Sequence, residues 1–514
     1  MIPAGLTGLT VEEYLPLLGF WTAILLVGVA SVRLATRSGL PSLLIYLALG
    51  VLIGEAGLGI TFDSFDLTQV LGYTALALIL AEGGLTTRWH DIRGEVPAAT
   101  SLSTLGVAVS VAVVGLACRF LLGMSWEVSF LVGAVVASTD AAAVFSVLRS
   151  VPLPHRLRGM LEAESGLNDA PVVLLVISLA EATGAATGAG GGPGPAHWLS
   201  VAGLAALKLL GGVLLGLLLG RLAAWLMPRA ASGSSGLFAL GVLSVCLLAW
   251  VSGELAQVSG FIATYVCGLV LGNSRLPHLH SVRGFAQAIG WLAQIMLFVL
   301  LGLLISPGSL HEVLVPALVV GVILLLVARP LSVFIALLPF GYPVRDQLFL
   351  SWAGLRGAVP IVLATVPLTS GAQYTGWLPN MVFVLVVLLT LVQAPTLPWV
   401  ARRLGLVGEG EEHDQVVELD VDAVPLEELD AQVLLVTVGP DSQLHGTSVM
   451  GLRLPDGASV SHLVRAGSSF TPQPQTVLHH GDRLLVVTRA SRRKAVEERL
   501  AAVSQDGGLA GRVA

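Results

Sequence analysis

Residues 313–338 read VLVPALVVGVILLLVARPLSVFIALL and contain a single charged side chain, Arg329. A helix that spans a lipid bilayer needs about 20 predominantly apolar residues, so this run is long enough to cross one. Similar runs recur along the first 403 residues. Of the 514 residues, 55% are hydrophobic and only 12% are charged, against roughly 25% charged in a soluble domain. The sequence therefore predicts a polytopic α-helical membrane protein.

Apolar runs of this kind predict about 13 transmembrane helices. The predicted spans are residues 17–35, 40–55, 68–86, 97–118, 127–148, 160–182, 199–226, 236–251, 258–273, 286–305, 313–338, 347–366 and 379–401. An odd number of spans places the two termini on opposite sides of the membrane.

Basic residues give the predicted orientation, because short cytoplasmic loops collect Lys and Arg. They occur in alternate loops, at Arg37, Arg88, Arg93, Arg149, Arg156, Arg158, Arg229, Arg275, Arg283, Arg345, Arg402 and Arg403. The exception is Arg119, at the outer end of the fourth span. We therefore expect an inner-membrane protein with its N-terminus outside and its C-terminus in the cytoplasm.

The composition changes after the last span. Residues 408–430 hold ten Asp or Glu and no Lys or Arg, which is typical of a solvated linker. Two Val-rich runs follow, QVLLVTV (432–438) and DRLLVVT (482–488), separated by turn signals. We predict a membrane domain over 1–405, an acidic linker over 406–430, a small cytosolic α+β domain over 431–490 and a tail over 491–514.

The sixth span contains an unusual group of polar residues, since each ionisable residue within a membrane must be explained. It opens with ESGLNDAP, in which Ser165 and Asp169 are four residues apart and so share a helix face, with Asn168 beside them. Pro171 removes the hydrogen bond to the carbonyl of Leu167. These oxygens suit a hard monovalent cation and not zinc or copper, because no His or Cys lies nearby.

The fifth span carries VVASTDAAAV, with Thr139 and Asp140 past its middle. Asp140 is either part of the same site or a structural partner for an Arg. Thr139 and Ser165 are alternatively helix-packing residues that bond back to the previous turn. Glu82, near the inner end of the third span, is either a site residue or an interfacial one.

Two arginines lie inside spans. Arg356, in GLRGAVP of the twelfth span, must be paired if it is buried, and Glu164 lies at a similar inner depth. We predict a structural ion pair between Glu164 and Arg356. Arg329 either snorkels to the interface or has a structural role.

The fifth and twelfth spans are seven apart, so they run in opposite directions, and both carry helix-weakening interruptions. This placement is what two inverted six-helix repeats around a central seventh helix would produce. The predicted site lies where the two broken helices cross.

Five segments resemble the monovalent cation/proton antiporters with an Asn-Asp pair, namely the bacterial NhaP-type and eukaryotic sodium/proton exchangers. The segments are LILAEGGL (78–85), STDAAAVFSVLR (138–149), ESGLNDAPVVL (164–174), VSGFIATYVCGLVLGN (258–273) and GLRGAVPIVLA (354–364). The resemblance covers most of residues 15–403.

The resemblance implies roles for individual residues. Asp169 matches the essential cation- and proton-binding Asp, with Asn168 and Ser165 beside it. Thr139 and Asp140 match the unwound crossing helix, and Glu164 with Arg356 matches a bridge between helices. The expected oxygen ligands of a monovalent cation are those of Asp169, Ser165 and Thr139.

Gly166 departs from the family, because many relatives have a larger apolar residue there.

The segments at 441–467 and 476–488 resemble the regulatory TrkA-C (RCK-C) domain of potassium-transport regulators. The accompanying nucleotide-binding half is absent from the sequence, so control by NAD is not expected, and no cofactor is predicted. A small cytosolic ligand is the expected partner of this domain. The resemblance also implies a homodimer, and nothing indicates binding to nucleic acid.

The resemblance implies a transporter and not an enzyme: an electroneutral antiporter that exchanges K⁺, or Na⁺, for H⁺. Asp169 would bind a proton or a cation, never both, and the neutral Asn168 leaves the site without a second carboxylate. The alternatives are Na⁺/H⁺ antiport as the main activity and a ligand-gated K⁺ efflux channel, although the sequence has no TVGYG-type filter. A membrane sensor without transport would not need buried carboxylates in two helices.

Overall fold

The computed structural model describes most of residues 42–406 and 431–506, together with 416–418 and parts of 15–30. The positions left out after residue 42 are 56, 58, 60–64, 141–143, 145–146, 148–152, 186–194, 231–233, 306, 370–374, 407–415, 419–430, 440–441, 466–467, 490–491 and 507–514. Much of the first predicted span and most of the acidic linker therefore lie outside the described residues. The chain divides by its contacts into two units, residues 1–407 and 408–514, each treated by itself below.

The first unit is built from helices. They are α1 (Ser42–Ile53), α2 (Phe65–Thr86), α3 (Trp89–Ile92), α4 (Val96–Ser101), α5 (Val107–Leu121), α6 (Trp126–Val135), α7 (His155–Ala185), α8 (Pro195–Ala230), α9 (Ser235–Leu255), α10 (Gly260–Gly272), α11 (Leu279–Leu303), α12 (Leu310–Ile323), α13 (Arg329–Leu337), α14 (Val344–Trp352), α15 (Ala358–Leu363), α16 (Val366–Thr369) and α17 (Leu378–Arg403). A π-helical turn joins α4 to α5 and another joins α12 to α13, so each pair is one continuous element.

Eight helices of the described residues are long and apolar enough to cross a membrane. Four shorter apolar helices of the described residues overlap the second, fifth, ninth and twelfth predicted spans. The membrane fold is thus confirmed at the level of many apolar helices, whereas the count of thirteen and the inverted repeat stay predictions. In two of these cases the helix is short because the span is interrupted, namely in the fifth and the twelfth.

The two interruptions lie against each other. Helix α6 ends at Val135 and the chain is non-helical at 138–140, while residues 353–357 separate α14 from α15 in the same way. The amide of Asp140 donates to the carbonyl of Leu355, with an N–O distance of 2.9 Å. Backbone groups freed from helical bonding inside a membrane must find such partners, because lipid supplies none. The two interrupted spans therefore contact each other in the first unit, at what we call the crossing. That they are the crossed broken helices of two inverted repeats stays a prediction.

Helix α7 passes beside this crossing and packs against α6 and α4. It continues through Pro171 without ending. Elsewhere α10 packs between α2, α8 and α9, and α11 packs against α1 and α2. The outward face of α8 is covered with leucines such as Leu207, Leu214 and Leu218, each more than 60% exposed. An exposed apolar surface of this extent is the kind that faces lipid.

The second unit contains a five-stranded antiparallel sheet in the order β1-β2-β5-β3-β4. Its strands are β1 (Val416–Glu418), β2 (Ala431–Thr437), β3 (Ser459–Arg465), β4 (Ser468–Phe470) and β5 (Arg483–Arg489), followed by helix α18 (Arg493–Asp506). The Val-rich runs predicted to be strands form β2 and β5, which pair along their full length.

The boundaries of this unit differ from the predicted ones at both ends. Strand β1 lies within the predicted acidic linker and pairs with β2. Helix α18 lies within the predicted tail, and its Val496, Leu500 and Val503 are buried in the same core as Leu434 and Leu484. The apolar side chains of α18 recur at helical spacing, so one face of the helix covers the sheet.

Candidate functional site

The polar residues of α7 meet the non-helical segment 136–140 inside the membrane unit. In a helix, residues four apart stand one above the other. Glu164 and Asn168 form one such row, and Ser165 and Asp169 form the next. Ser165 is partly buried, and the other three are at most 9% exposed. Helix α7 therefore presents two adjacent polar rows to the crossing.

The first row makes a continuous hydrogen-bonded chain. The Nδ2 of Asn168 donates to the Oγ1 of Thr139 at 2.5 Å. That hydroxyl donates in turn to the Oε1 of Glu164 at 3.3 Å. Glu164 also accepts two bonds from Arg329, at 2.6 Å to Oε1 and 2.9 Å to Oε2. Paired charge-assisted bonds are the strongest kind, so the charge of Glu164 is matched within the protein.

The second row is bonded differently. The hydroxyl of Ser165 donates to the carbonyl of Thr139 at 3.3 Å. The Oδ1 of Asp169 accepts a bond of 2.6 Å from the hydroxyl of Ser138. No Lys, Arg or His of the described residues lies within ion-pair distance of Asp169. Of the two site carboxylates on α7, one is neutralised by an arginine and the other is not.

The predicted ion pair between Glu164 and Arg356 is wrong, because Arg329 is the arginine that binds Glu164. Arg329 is 5% exposed, which also decides against snorkelling. Its guanidinium lies against Gly354 and donates to the carbonyl of Leu350. Depth in the membrane suggested Arg356 from the sequence. The pairing depends on the direction in which each arginine side chain leaves its backbone. That direction cannot be inferred from the depth of the residue in the membrane.

Arg356 has a different task. It is 2% exposed, and its Nη1 donates to the carbonyls of Ala137 and Ser138 at 2.7 and 2.5 Å. These carbonyls lie near the middle of the fifth span, just after α6 ends and helical bonding has stopped. Arg356 therefore supplies donors that the broken helix lacks and ties the two interrupted segments together.

Asp140 lies in the crossing itself. A Cβ placed on Gly357 would come within 2.0 Å of Asp140 Oδ2 and 2.8 Å of its Cβ. Glycine is thus required at position 357 by the close approach of the two segments. Asp140 also lines a small cavity beside the first row, together with Thr139, Glu164 and Arg329.

Glu82 is not among the residues of either row. It is half-buried on α2 and packs against Gly290 of α11, within 3.0 Å of the position of a Cβ there. Among the described residues, no side-chain hydrogen bond connects it with Asp169. Its assignment as a site residue stays a prediction.

The departure at Gly166 has a structural reason. A Cβ at this position would lie 2.5 Å from the Cζ of Tyr265, whose ring comes from α10. The tyrosine ring occupies the space that a larger residue at position 166 would need. The small residue on α7 and the large residue on α10 are therefore complementary.

The arrangement suits a monovalent cation held by oxygen atoms. The described residues contain no group of three or more His, Cys, Asp or Glu able to hold a metal ion. The hydroxyls of Ser165 and Thr139 are engaged in protein hydrogen bonds as donors, and a hydroxyl oxygen that donates can also act as an acceptor. Asn168 offers a buried Oδ1 to which no described residue donates. Their service as cation ligands stays a prediction.

Two members of the cluster were missed or left open in the sequence. Ser138 directly precedes Thr139 and Asp140, and this adjacency was the available signal. For Arg329 the sequence does not decide between snorkelling and a structural role, because an arginine near the inner end of a span fits either.

The chain can be compared with known proteins at this point. The family described as sodium/hydrogen exchanger, transmembrane, matches residues 22–403, and the TrkA-C domain matches residues 433–501. The K(+)/H(+) antiporter NhaP of Alkalimonas amylolytica is 34% identical over 470 residues, which cover 91% of this chain and 80% of that protein. The K(+)/H(+) antiporter NhaP2 of Shewanella oneidensis is 35% identical over 456 residues, covering 88% and 78%.

A solved structure shares the fold. The sodium proton antiporter MjNhaP1 of Methanocaldococcus jannaschii at pH 8 superposes with a TM-score of 0.64 and 22% identity, covering 74% of this chain and all of that one. The family match spans the helical unit, including both interrupted spans and α7. The chain therefore belongs to the sodium/hydrogen exchanger family and carries a TrkA-C domain after its membrane part.

Proposed function

We propose that this protein is an electroneutral antiporter that exchanges K⁺ for H⁺ by competition at Asp169. The observation that carries the proposal is the contrast between two carboxylates on α7. Glu164 is bonded twice by Arg329, whereas Asp169 accepts a hydrogen bond from the neutral hydroxyl of Ser138.

A buried carboxylate without a cationic partner is unstable as a bare charge. It becomes stable by taking up either a proton or a metal cation, and one carboxylate cannot hold both. A site that exchanges these two occupants on alternate sides of a membrane moves one proton against one monovalent cation. Asn168 is neutral, so the pair of residues 168 and 169 carries one charge, which is why the exchange is electroneutral.

Potassium is our first candidate for the cation. Two relatives with 34% and 35% identity over most of this chain are named K(+)/H(+) antiporters. The structural relative is named a sodium proton antiporter, so Na⁺/H⁺ exchange is the second candidate. Ion preference depends on the positions of oxygen atoms around a bound cation.

We also propose that the protein lies in the inner membrane as a homodimer, with its N-terminus outside and its C-terminus in the cytoplasm. The alternation of basic loops supports this orientation. In that arrangement the TrkA-C domain meets cytosolic ligands. It would regulate exchange by binding the active and inactive states with different affinity.

Proteoliposomes with an imposed pH gradient test the function. We expect the full-length protein to dissipate the gradient only when a transported cation is added, in a series of K⁺, Na⁺, Li⁺ and Rb⁺. Imposing a membrane potential should leave the rate unchanged. Cation flux without coupled proton movement would instead indicate a channel.

A pair of variants on the same helix completes the experiment. Asp169→Asn should abolish exchange. Glu181→Gln changes an exposed carboxylate near the end of α7 and should retain it. Exchange by Asp169→Asn at a substantial fraction of the original rate would remove the proposal.

A further inference from the structure

The position of Ser138 differs from that of a serine that only packs between membrane helices. Serine hydroxyls in membrane helices commonly bond back to a carbonyl of the preceding turn. Ser138 is outside the helix, is 1% exposed, and directs its hydroxyl to Asp169 Oδ1 at 2.6 Å. This distance is at the short end of the range of about 2.5–3.0 Å for bonds from a hydroxyl to an oxygen atom.

The backbone around Ser138 is fixed from the opposite broken helix. Its own carbonyl and that of Ala137 accept bonds from Arg356 Nη1. Two residues later the amide of Asp140 donates to Leu355. Residues on both sides of the hydroxyl are therefore anchored by the segment 353–357.

We propose that Ser138 is a positioning residue of the exchange site. Its hydroxyl holds Oδ1 of Asp169, so that Oδ2 is presented to the cation. This inference rests on the function proposed above. Among the described residues, none donates a hydrogen bond to Oδ2. A carboxylate turns about its terminal side-chain bond through a broad range of angles, and a fixed bond at one oxygen removes that freedom.

A second consequence concerns the coupling between the broken helices and the site. Arg356 binds the backbone carbonyl of Ser138, and the hydroxyl of Ser138 binds Asp169, so Arg356 acts on Asp169 through Ser138. The crossing of the two interrupted spans thus sets the orientation of the carboxylate on α7. The orientation of the Asp169 carboxylate can therefore change when the two interrupted spans move relative to each other.

The test measures cation dependence of exchange by Ser138→Ala in proteoliposomes. Losing a hydrogen bond to a charged group should raise the KM for K⁺ by about tenfold, equivalent to about 1.4 kcal/mol, with the maximal rate within about threefold of the original. Na⁺ should show the same rise if it is transported, because the change acts on the carboxylate. Ser138→Gly, which also lacks the hydroxyl, should give a similar KM.

Ser129→Ala is the matched control. Ser129 lies on α6 and is fully buried, and no described residue forms a hydrogen bond with its hydroxyl. Its loss should leave both KM and maximal rate unchanged.

The outcomes separate this inference from the function on which it rests. If the unaltered protein exchanges cations and Asp169→Asn does not, an unchanged KM in Ser138→Ala overturns the role of Ser138 alone. A fall in maximal rate with constant KM also overturns it. If the unaltered protein shows no cation-dependent proton movement, the proposed function itself fails.

Discussion

The membrane unit and the C-terminal domain each contain a buried aspartate, and the surroundings of the two differ. Asp482 of the domain accepts two bonds from Arg465, at 2.8 and 2.7 Å, and one of 2.8 Å from the amide of His479. Asp169 of the membrane unit accepts one bond from a neutral hydroxyl. A carboxylate whose charge is matched locally stabilises a fold. One that is not matched is available to an exchangeable positive charge.

The same contrast exists within α7, between Glu164 and Asp169. Both lie on one helix only five residues apart. In the proposed mechanism, the neighbours therefore distinguish the structural carboxylate of Glu164, which is bound by Arg329, from that of Asp169, which is bound by a neutral hydroxyl.

The largest effect is expected from breaking the structural pair. Glu164→Ala and Arg329→Ala each leave an uncompensated buried charge, which should lower the free energy of unfolding by about 3–5 kcal/mol. The double variant should lose less than the sum of the two. Thermal unfolding of the purified protein in detergent gives the three values.

The matched cycle uses Glu164 with Arg356, which bonds to carbonyls instead. We expect its coupling energy to be smaller than that of Glu164 with Arg329. A Glu164–Arg356 coupling that equals or exceeds the other would show that the arginines are assigned wrongly.

A smaller effect is expected from crowding the crossing. Gly357→Ala places a methyl group against Asp140, which should cost about 1–3 kcal/mol of stability and slow the exchange. Gly284→Ala on α11 is the control, because nothing lies within 4 Å of its added carbon. Equal stability and transport in the two variants would argue against a tight crossing.

The third prediction concerns pH and the paired aspartate of the domain. Burial alone would raise the pKa of Asp482, but hydrogen bonds from Arg465 and the His479 amide, with the nearby positive charge, hold that pKa below its usual value. The unfolded chain, with a pKa of about 3.9, binds this proton first. The stabilisation is therefore complete above that value and is lost as the pH falls through the lower folded pKa.

Hydrogen exchange of strands β2 and β5 in the full-length protein measures this loss. Asp482→Asn should already show weaker protection at pH 6, by about 1–3 kcal/mol, and less further change on acidification. Glu498→Gln, on an exposed pair with Lys494, should behave like the unaltered protein. An equal acid response in Asp482→Asn would mean that other groups carry it.

The smallest effect on exchange itself is expected from removing the domain. Truncation after Val407, where the contacts of the chain divide, should retain exchange and cation preference, because the domain supplies none of the site residues. The response of exchange to regulation through the domain should be altered in the truncated protein. A truncated protein that inserts and folds but shows no exchange at any pH would contradict the separation of the two units.

Sequence patterns predicted much of this molecule, for identifiable reasons. Long apolar runs indicated membrane helices, and Val-rich runs indicated β2 and β5, because these signals are local. The polar motif of α7 indicated its two rows through helical spacing. Asp169, Asn168, Ser165 and Thr139 are accordingly found together.

Other features depend on packing between distant segments. Arg329 and Arg356 both lie near the polar rows of α7. Which of them binds Glu164 depends on the positions of α13 and residues 353–357 relative to α7. Helix α18 was assigned to a tail, although Val496, Leu500 and Val503 have helical spacing. What makes this face stable is the sheet that it covers.

Proton release on cation binding tests the central claim most directly. The full-length protein, purified in weakly buffered detergent solution, is titrated with K⁺ and then Na⁺ while bound cation and released protons are both measured. Below the pH at which Asp169 is fully ionised, competition at one carboxylate predicts that release approaches about one proton per bound cation, with neither binding nor release in Asp169→Asn. Cation binding without proton release at every pH tested, or undiminished release in Asp169→Asn, would contradict the account.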